Sequence, residues 1–271
     1  MREFVRQRLQ DWRNEIPGPW VETFHQTLAN FDAVDPGVPA PQHVFPGLRG
    51  NNPNATHYLL RAFDALAPAD VRVIVIGQDP YPDQDRATGR AFEDGASADV
   101  AGTTSPSLRR IAQSAVSLCT NRADLAENAA GWNVLLDEFE LPRTSAMFDG
   151  LSAQGVLCIN AAWTFSGSER VHLDAHLRIW RPVLRSIIRR LLADNGNRVV
   201  LALGAKSHKI FGATGPNPAH FVQHCHPQAR KNAWFAQPNP FAEVNRILTE
   251  INQAPICWLP GLACKWPPHP N

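Results

Sequence analysis

The run Val71-Arg72-Val73-Ile74-Val75-Ile76 and the corner after it, Gly77-Gln78-Asp79-Pro80-Tyr81, decide how the rest of the chain is read. The run is rich in β-branched residues and apolar almost throughout, the pattern of a strand buried on both faces. Gly77 ends it, and Pro80 drives the chain out of regular structure. Gln78, Asp79 and Tyr81 therefore stand at a strand's carboxyl end, the edge where open α/β sheets bind ligands. Taken alone, Asp-Pro beside a glycine is equally an ordinary turn. Tyr81 and Phe92 frame this loop, however, and a solvated turn needs neither ring.

Three further apolar runs end in polar or glycine-containing corners. Residues 155–159 lead into Asn160, residues 198–203 into Gly204-Ala205-Lys206-Ser207, and residues 220–225 into His226-Pro227. Between them the sequence predicts helices. One covers residues 1–31, with Phe4, Val5, Leu9, Trp12 and Ile16 as its stripe, and one covers 55–67, capped from Asn51, Asn52, Pro53 and Asn54. A third starts at Ser105 as N-cap with Pro106 in the first helical position. Two more cover 174–193 and 241–252. Strands alternating with helices imply an α/β fold with right-handed crossovers and a parallel sheet. Its corners share one edge, which brings Asp79, Asn160, Lys206 and His226 together. Residues 119–150 read as an irregular insertion, and the Pro- and Trp-rich tail at 257–271 as a surface segment, in a chain with no domain boundary between 1 and 271.

Composition narrows the class. The chain has 271 residues, 44% hydrophobic and 19% charged, which are globular values. A net charge of +1 identifies no partner. Charge is unevenly placed, though: from Arg170 to Lys231 the basic residues face only Asp174 and Asp194, a distribution suited to a polyanion. Five cysteines without a C-x-x-C pair argue against a disulfide framework and against a zinc ribbon. His224-Cys225-His226 lacks the partners of a metal site. No apolar run approaches the ~20 residues of a membrane span, and the charged opening is unlike a signal peptide. The expectation is a reduced, cytoplasmic protein without metal, cofactor or membrane contact.

A carboxylate, an amide and an imidazole beside two aromatic rings make a small polar pocket with a stacking surface. Asp79 can orient water or stabilise a developing cation, and Asn160 can read a donor and an acceptor at once. His226 can hydrogen-bond a leaving group that takes up negative charge. Nucleophile elbows, phosphate loops and dinucleotide fingerprints are absent. Singly, each residue has a plainer reading, His226 as a turn residue and Asn160 as a cap. The functional case lies in their coincidence at one sheet edge.

In this order the motifs resemble the family-1 uracil-DNA glycosylases. The water-activating loop stands as Gly77-Gln78-Asp79-Pro80-Tyr81, with Phe92 eleven residues after the tyrosine. Ile159-Asn160-Ala161 is similar to the uracil-reading segment, Ser105-Pro106-Ser107-Leu108 to the Pro/Ser loop, and His226-Pro227 to the His-Pro loop. Phe241 and Asn245 match downstream positions. The resemblance implies a three-layer α/β/α fold with a central four-stranded parallel sheet. It also implies a monomeric DNA repair enzyme that flips uracil out of DNA and hydrolyses its N-glycosidic bond. Asp79 and His226 are then catalytic, and Gln78, Tyr81, Phe92 and Asn160 hold the base. Ser105, Ser107, Lys206, Ser207, Pro227, Gln228, Arg230 and Lys231 are expected to contact DNA.

The chain departs from the family pattern in two places. Pro82-Asp83 stand where His-Gly is usual. The His-Pro-Ser-Pro-Leu loop reads His226-Pro227-Gln228-Ala229-Arg230, so the leucine that wedges into the base stack is absent. Either Arg230 fills that space, with Lys231 beside it, or Trp234 or Phe235 is the wedge. The same change argues against binding of the family's leucine-gripping phage inhibitor protein. Two other readings remain open: a glycosylase for another damaged pyrimidine, and a non-catalytic DNA-binding protein of the same fold.

Overall fold

The computed structural model describes residues 1–51 and 56–262. Its centre is a four-stranded sheet in the order β2-β1-β3-β4. The strands are β1 (Val73–Gly77), β2 (Val156–Asn160), β3 (Val199–Leu203) and β4 (His220–His224). Every pairing is parallel. β1 has β2 on one side and β3 on the other, so the chain reverses its direction of travel across the sheet beside β1. That topological switch opens a crevice outside the carboxyl ends of the strands.

Strand alternation builds three layers. Ile74, Ile76, Leu157, Ile159 and Val200 face one core, packed with α1 (Arg2–Leu9) and α5 (Arg170–Asp194). Val73, Val75, Val156, Cys158, Val199, Leu201 and Leu203 face a second core. There they meet α2 (Pro106–Thr120), α3 (Gly131–Glu138), α4 (Thr144–Ala153) and α7 (Pro240–Glu250). A short α6 (Ala205–His208) follows β3. The three-layer α/β/α arrangement is the expected one. Burial on both faces explains why β1, β2 and β3 are apolar without alternation.

Several local expectations are corrected. Residues 1–31 form only α1 and 3-10 turns, because Pro17, Gly18 and Pro19 interrupt the stripe. Around residues 56–67 there is a 3-10 turn, Arg61–Phe63, and no α-helix. Backbone donors there are drawn to other segments, Tyr58 N–H to Thr88 O and Leu59 N–H to Gly47 O. Asn52, Pro53 and Asn54 lie outside the described residues. The stretch read as irregular carries α3 and the start of α4, with Trp132, Leu135 and Met147 in the second core. Of the C-terminal segment, Trp258 and Leu259 are buried rather than superficial, and Trp258 stacks on Phe241 at 4.4 Å. Residues 263–271 lie outside the described part. Cys119 and Cys257 are each disulfide-bonded, against the expectation of a reduced chain without a disulfide framework, whereas Cys158 and Cys225 are free thiols.

The basic face is also less available than its sequence suggests. Arg185 donates to Ile210 O and Lys209 O, Arg189 to Thr214 O, and buried Arg198 to Val71 O and Pro68 O. These side chains staple loops to the frame. No helix among the described residues is long and apolar enough to cross a membrane.

Ile74 is fully buried under α5. Ile74→Ala should lower unfolding free energy by about 2–5 kcal/mol through lost contacts and a residual cavity, read as a lower urea midpoint with an unchanged slope.

Candidate active site

Register places the site. Gly77 pairs with Asn160 across β1 and β2, so the loop after β1 leaves the sheet beside the Asn160 side chain. A Cβ on residue 77 would collide with Asn160 Oδ1 and come within 3.2 Å of Phe92 Cε2. Glycine is therefore required for space, so that amide and ring can converge there. Gly77 O accepts from Ala161 N–H at 2.9 Å and from Ser207 Oγ at 2.8 Å, while Ala162 N–H donates to Gln78 O at 2.9 Å. These bonds hold the carboxyl ends of β1, β2 and β3 together.

The loop then folds back. Tyr81 Oη donates to Phe92 O at 3.1 Å and lies 2.7 Å from Ser105 Oγ, and Ala91 N–H donates to Cys158 O at 3.1 Å. Phe92 is held at φ 68°, a left-handed conformation that bulky residues rarely adopt. Its ring sits 6.3 Å from the imidazole of His226, centre to centre. Gln78, Asp79, Tyr81, Phe92, Asn160 and His226 line a single cavity of about 280 Å³, with Ser107 and Gln228 at its wall. Four separate sequence regions supply this one surface. Beyond Asn160, the wall at 165–168 is braced by a buried polar chain: His176 bonds Thr164 Oγ1 at 2.8 Å and Ser166 Oγ at 2.7 Å.

The electrostatics suit a reaction that separates charge. Burial pushes the Asp79 carboxyl up from 3.8 to about 6, against the opposing Gln78 amide and Lys206 charge. Gln78 Nε2 donates to Asp79 Oδ1 at 3.1 Å. Burial also lowers the pKa of His226, and the positive charge of Arg110 acts in the same direction. His226 Nδ1 accepts the Gln228 N–H at 3.1 Å, so the neutral ring carries its proton on Nε2. Asn160 is buried, and among the described residues nothing hydrogen-bonds its carboxamide. Its polar atoms open onto the cavity, where a bound group can meet a donor and an acceptor at once.

The expected DNA-facing residues divide. Ser105 is buried as the N-cap of α2, accepting from Leu108 N–H, and Ser207 is fully buried against β1. Pro227 is buried too, its carbonyl taken by Arg110. Lys206 donates to Asp174 at 2.7 Å. Ser107 accepts from Gln228 Nε2 at 2.8 Å, so these two contact each other at the cavity wall. Arg230 and Lys231 are exposed, and among the described residues their side chains form no hydrogen bond or ion pair. Trp234 is removed as a wedge: it is 1% exposed, and its indole donates to Ser114 Oγ at 2.9 Å. Phe235 is half-buried against the second core. Asn245 serves the C-terminal segment instead, bonding both backbone groups of Ile256. Of the departures, Pro82 lines the cavity and Asp83 Oδ1 accepts from Asp85 N–H at 2.8 Å, closing the turn. Arg110 was missed, since nothing in sequence couples it to a carbonyl 117 positions away.

A parallel α/β sheet with an acid, an unpartnered amide and a neutral imidazole around one cavity at its switch point defines a class of ring-binding hydrolytic site. The chain belongs to the uracil DNA glycosylase superfamily, whose family model matches residues 63–249. The uracil-DNA glycosylase of bovine herpesvirus 1.1 is 29% identical over 195 residues, 71% of this chain and 82% of that protein. That of Serratia proteamaculans is 27% identical over 240 residues, 88% and 90% of the two chains. In structure, the wild-type UNG of Nitratifractor salsuginis superposes with a TM-score of 0.63 at 19% identity, covering 97% of this chain and 98% of that one. Mimivirus uracil-DNA glycosylase gives 0.53 at 20% identity, over 79% and 74%.

Burying Asp79 has a stability cost whose sign is testable. Below pH about 4 its carboxyl is protonated folded and unfolded, and the cost vanishes. As pH rises the unfolded chain ionises first, so stability falls until pH about 6 and is level above it. Asp79→Asn should therefore stabilise the protein by up to about 3 kcal/mol at pH 8 and by almost nothing near pH 4, measured by urea unfolding at both pH values.

Proposed function

We propose that the protein removes uracil from DNA by flipping the base into the cavity and hydrolysing its N-glycosidic bond. The observation that carries this reading is the convergence of Asp79, unpartnered Asn160 and Nε2-protonated His226 on one cavity. A base inside a duplex is out of reach, so it must leave the stack, which costs a few kcal/mol of unstacking. Phe92 supplies a flat face for the extruded ring. The free carboxamide of Asn160 offers an acceptor to uracil N3–H and a donor to O4, a pair that cytosine cannot satisfy. Tyr81, fixed by its bonds to Phe92 O and Ser105, walls the C5 edge against the methyl of thymine.

As the C1′–N1 bond breaks, its electron pair moves to the base and the sugar becomes oxocarbenium-like. Asp79, ionised above pH about 6, stabilises that cation and orients the water that adds to C1′. His226 donates its Nε2–H to the developing anion at O2. Gln78 directs the Asp79 carboxylate through its side chain. Among the described residues no cluster of three His, Cys, Asp or Glu is placed to hold a metal.

The test is a labelled uracil oligonucleotide incubated with and without EDTA, followed by alkali, beside thymine and other modified-base substrates. Cleavage at uracil in both conditions, reduced about 10²–10⁴-fold by Asp79→Asn, is the expected outcome. Cleavage of another base alone moves the reading to that lesion, and binding without cleavage makes the protein a DNA-binding module. The rate should fall as pH drops below about 6, where Asp79 takes up its proton. Gln78→Leu should move that fall to higher pH, because it removes a bond that favours the carboxylate.

Arg230 stands at the exposed tip of the His226 loop, where it can stack into the space of the departing base or pair with phosphate. Arg230→Ala should slow excision from duplex DNA at least about tenfold more than from single strands. Equal losses on both would remove the wedge role. Variants of mimivirus UNG are known in complex with UGI; an arginine in the loop of this chain is expected to weaken any such complex.

A further inference from the structure

One cationic side chain near the cavity takes no part in the reaction as described above. Arg110 lies in α2, half-buried, and its guanidinium Nη1 donates to the carbonyl of Pro227, the residue after His226. One helical turn earlier, Ser107 accepts from Gln228 Nε2 at 2.8 Å. Positions three apart share a helix face, so this face of α2 grips both residues that follow His226. Gln228 N–H on Nδ1 at 3.1 Å and Ala229 N–H on His226 O at 2.8 Å then fix the imidazole within the loop. Among the described residues Arg110 forms no ion pair with a carboxylate. Its charge is therefore uncompensated, held beside a cavity from which a base must leave as an anion.

We propose that Arg110 is a positioning residue for the leaving-group step, docking the His226 loop through Pro227 O and setting a fixed positive charge behind the neutral imidazole. A guanidinium suits this role because it stays charged and its planar fork is directional. A preoriented charge in a partly desolvated site acts on negative charge as it develops, with little reorganisation. The ionisable groups that line the cavity with His226 are Asp79, Tyr81 and Arg90, with Arg110 behind the loop on α2 and Cys225 before it in the chain. Arg90 is paired with Glu93 and Asp149, so Arg110 is the cation left to act on the imidazole. The proposal rests on the uracil-excision reading.

The experiment compares wild type, Arg110→Gln and Arg110→Lys in single-turnover excision of uracil and of 5-fluorouracil from the same oligonucleotide. Fluorine makes the departing base a better anion, which lessens the need for stabilisation. Arg110→Gln should lose about tenfold to hundredfold in the uracil rate with substrate binding little changed, and at least about fivefold less on 5-fluorouracil. Arg110→Lys, which keeps the charge, should recover most of the loss. An NMR titration of His226 in Arg110→Gln should show its pKa moved up, a readout independent of turnover that also reports whether the variant is folded. Equal losses on both bases, a loss in binding alone, no loss, or an unmoved His226 titration would overturn the proposal. Inactive wild type would instead overturn the uracil reading.

Discussion

Gly77 and Asn160 face one another across the first two strands, and the missing side chain at 77 admits the carboxamide of 160 and the ring of Phe92. That close approach is the constraint on which the site depends. A parallel sheet delivers all its carboxyl ends to one edge, but side chains from neighbouring strands would normally keep their distance. Here a backbone position without a Cβ lets a polar group and an aromatic face share a cavity wall. The bonds of Ala161 N–H and Ser207 Oγ to Gly77 O keep the three strand ends from drifting apart. Ser207 thus acts through the frame of the site and not on its surface.

Around that edge the protein holds groups in states they would not choose in water. A carboxyl is buried until its pKa reaches about 6, a phenylalanine is held at φ 68°, and an amide is left without a partner. The first two are destabilising in the folded protein on their own, and with the open amide they mark a site shaped for binding and chemistry. The counterweights are local. Gln78 and Lys206 favour the ionised Asp79, and Lys206 is itself aimed by Asp174 on α5. Tyr81 ties the strained loop to the cap of α2 through Ser105.

The loop after β4 shows how a changed sequence can serve a similar geometry. With Gln228, Ala229 and Arg230 after the His-Pro pair, the imidazole is still oriented by a backbone N–H on Nδ1. The longer amide of Gln228 reaches Ser107, and Arg110 reaches the Pro227 carbonyl. α2 is thereby both the platform for Tyr81 at its N-cap and the dock for His226 one turn further on. Changes at the tip, Arg230 and Lys231, are left free to meet DNA without disturbing this docking.

The order of the four strands, the helices that begin at Ser105 and cover 174–193 and 241–252, the burial of β1 to β3 and the sharing of one edge by Asp79, Asn160 and His226 were legible in the sequence. Those features follow from local hydrophobic runs and from strand polarity, which a linear pattern contains. The motifs around Gly77 and His226 named the family for the same reason, since their residues are contiguous. The sequence did not separate residues that face the cavity from residues that support it. Ser105, Ser207 and Pro227 sit in the same motifs as true cavity residues, and only burial and hydrogen-bond partners distinguish them. Trp234 was excluded as a wedge by Ser114, and the helices of the 119–150 region became visible, once distant segments packed together. Arg110 and Pro227 meet across 117 positions of chain. Composition and periodicity report what a residue does along its own element; which distant group completes its hydrogen bonds and sets its charge is decided only when the chain closes on itself.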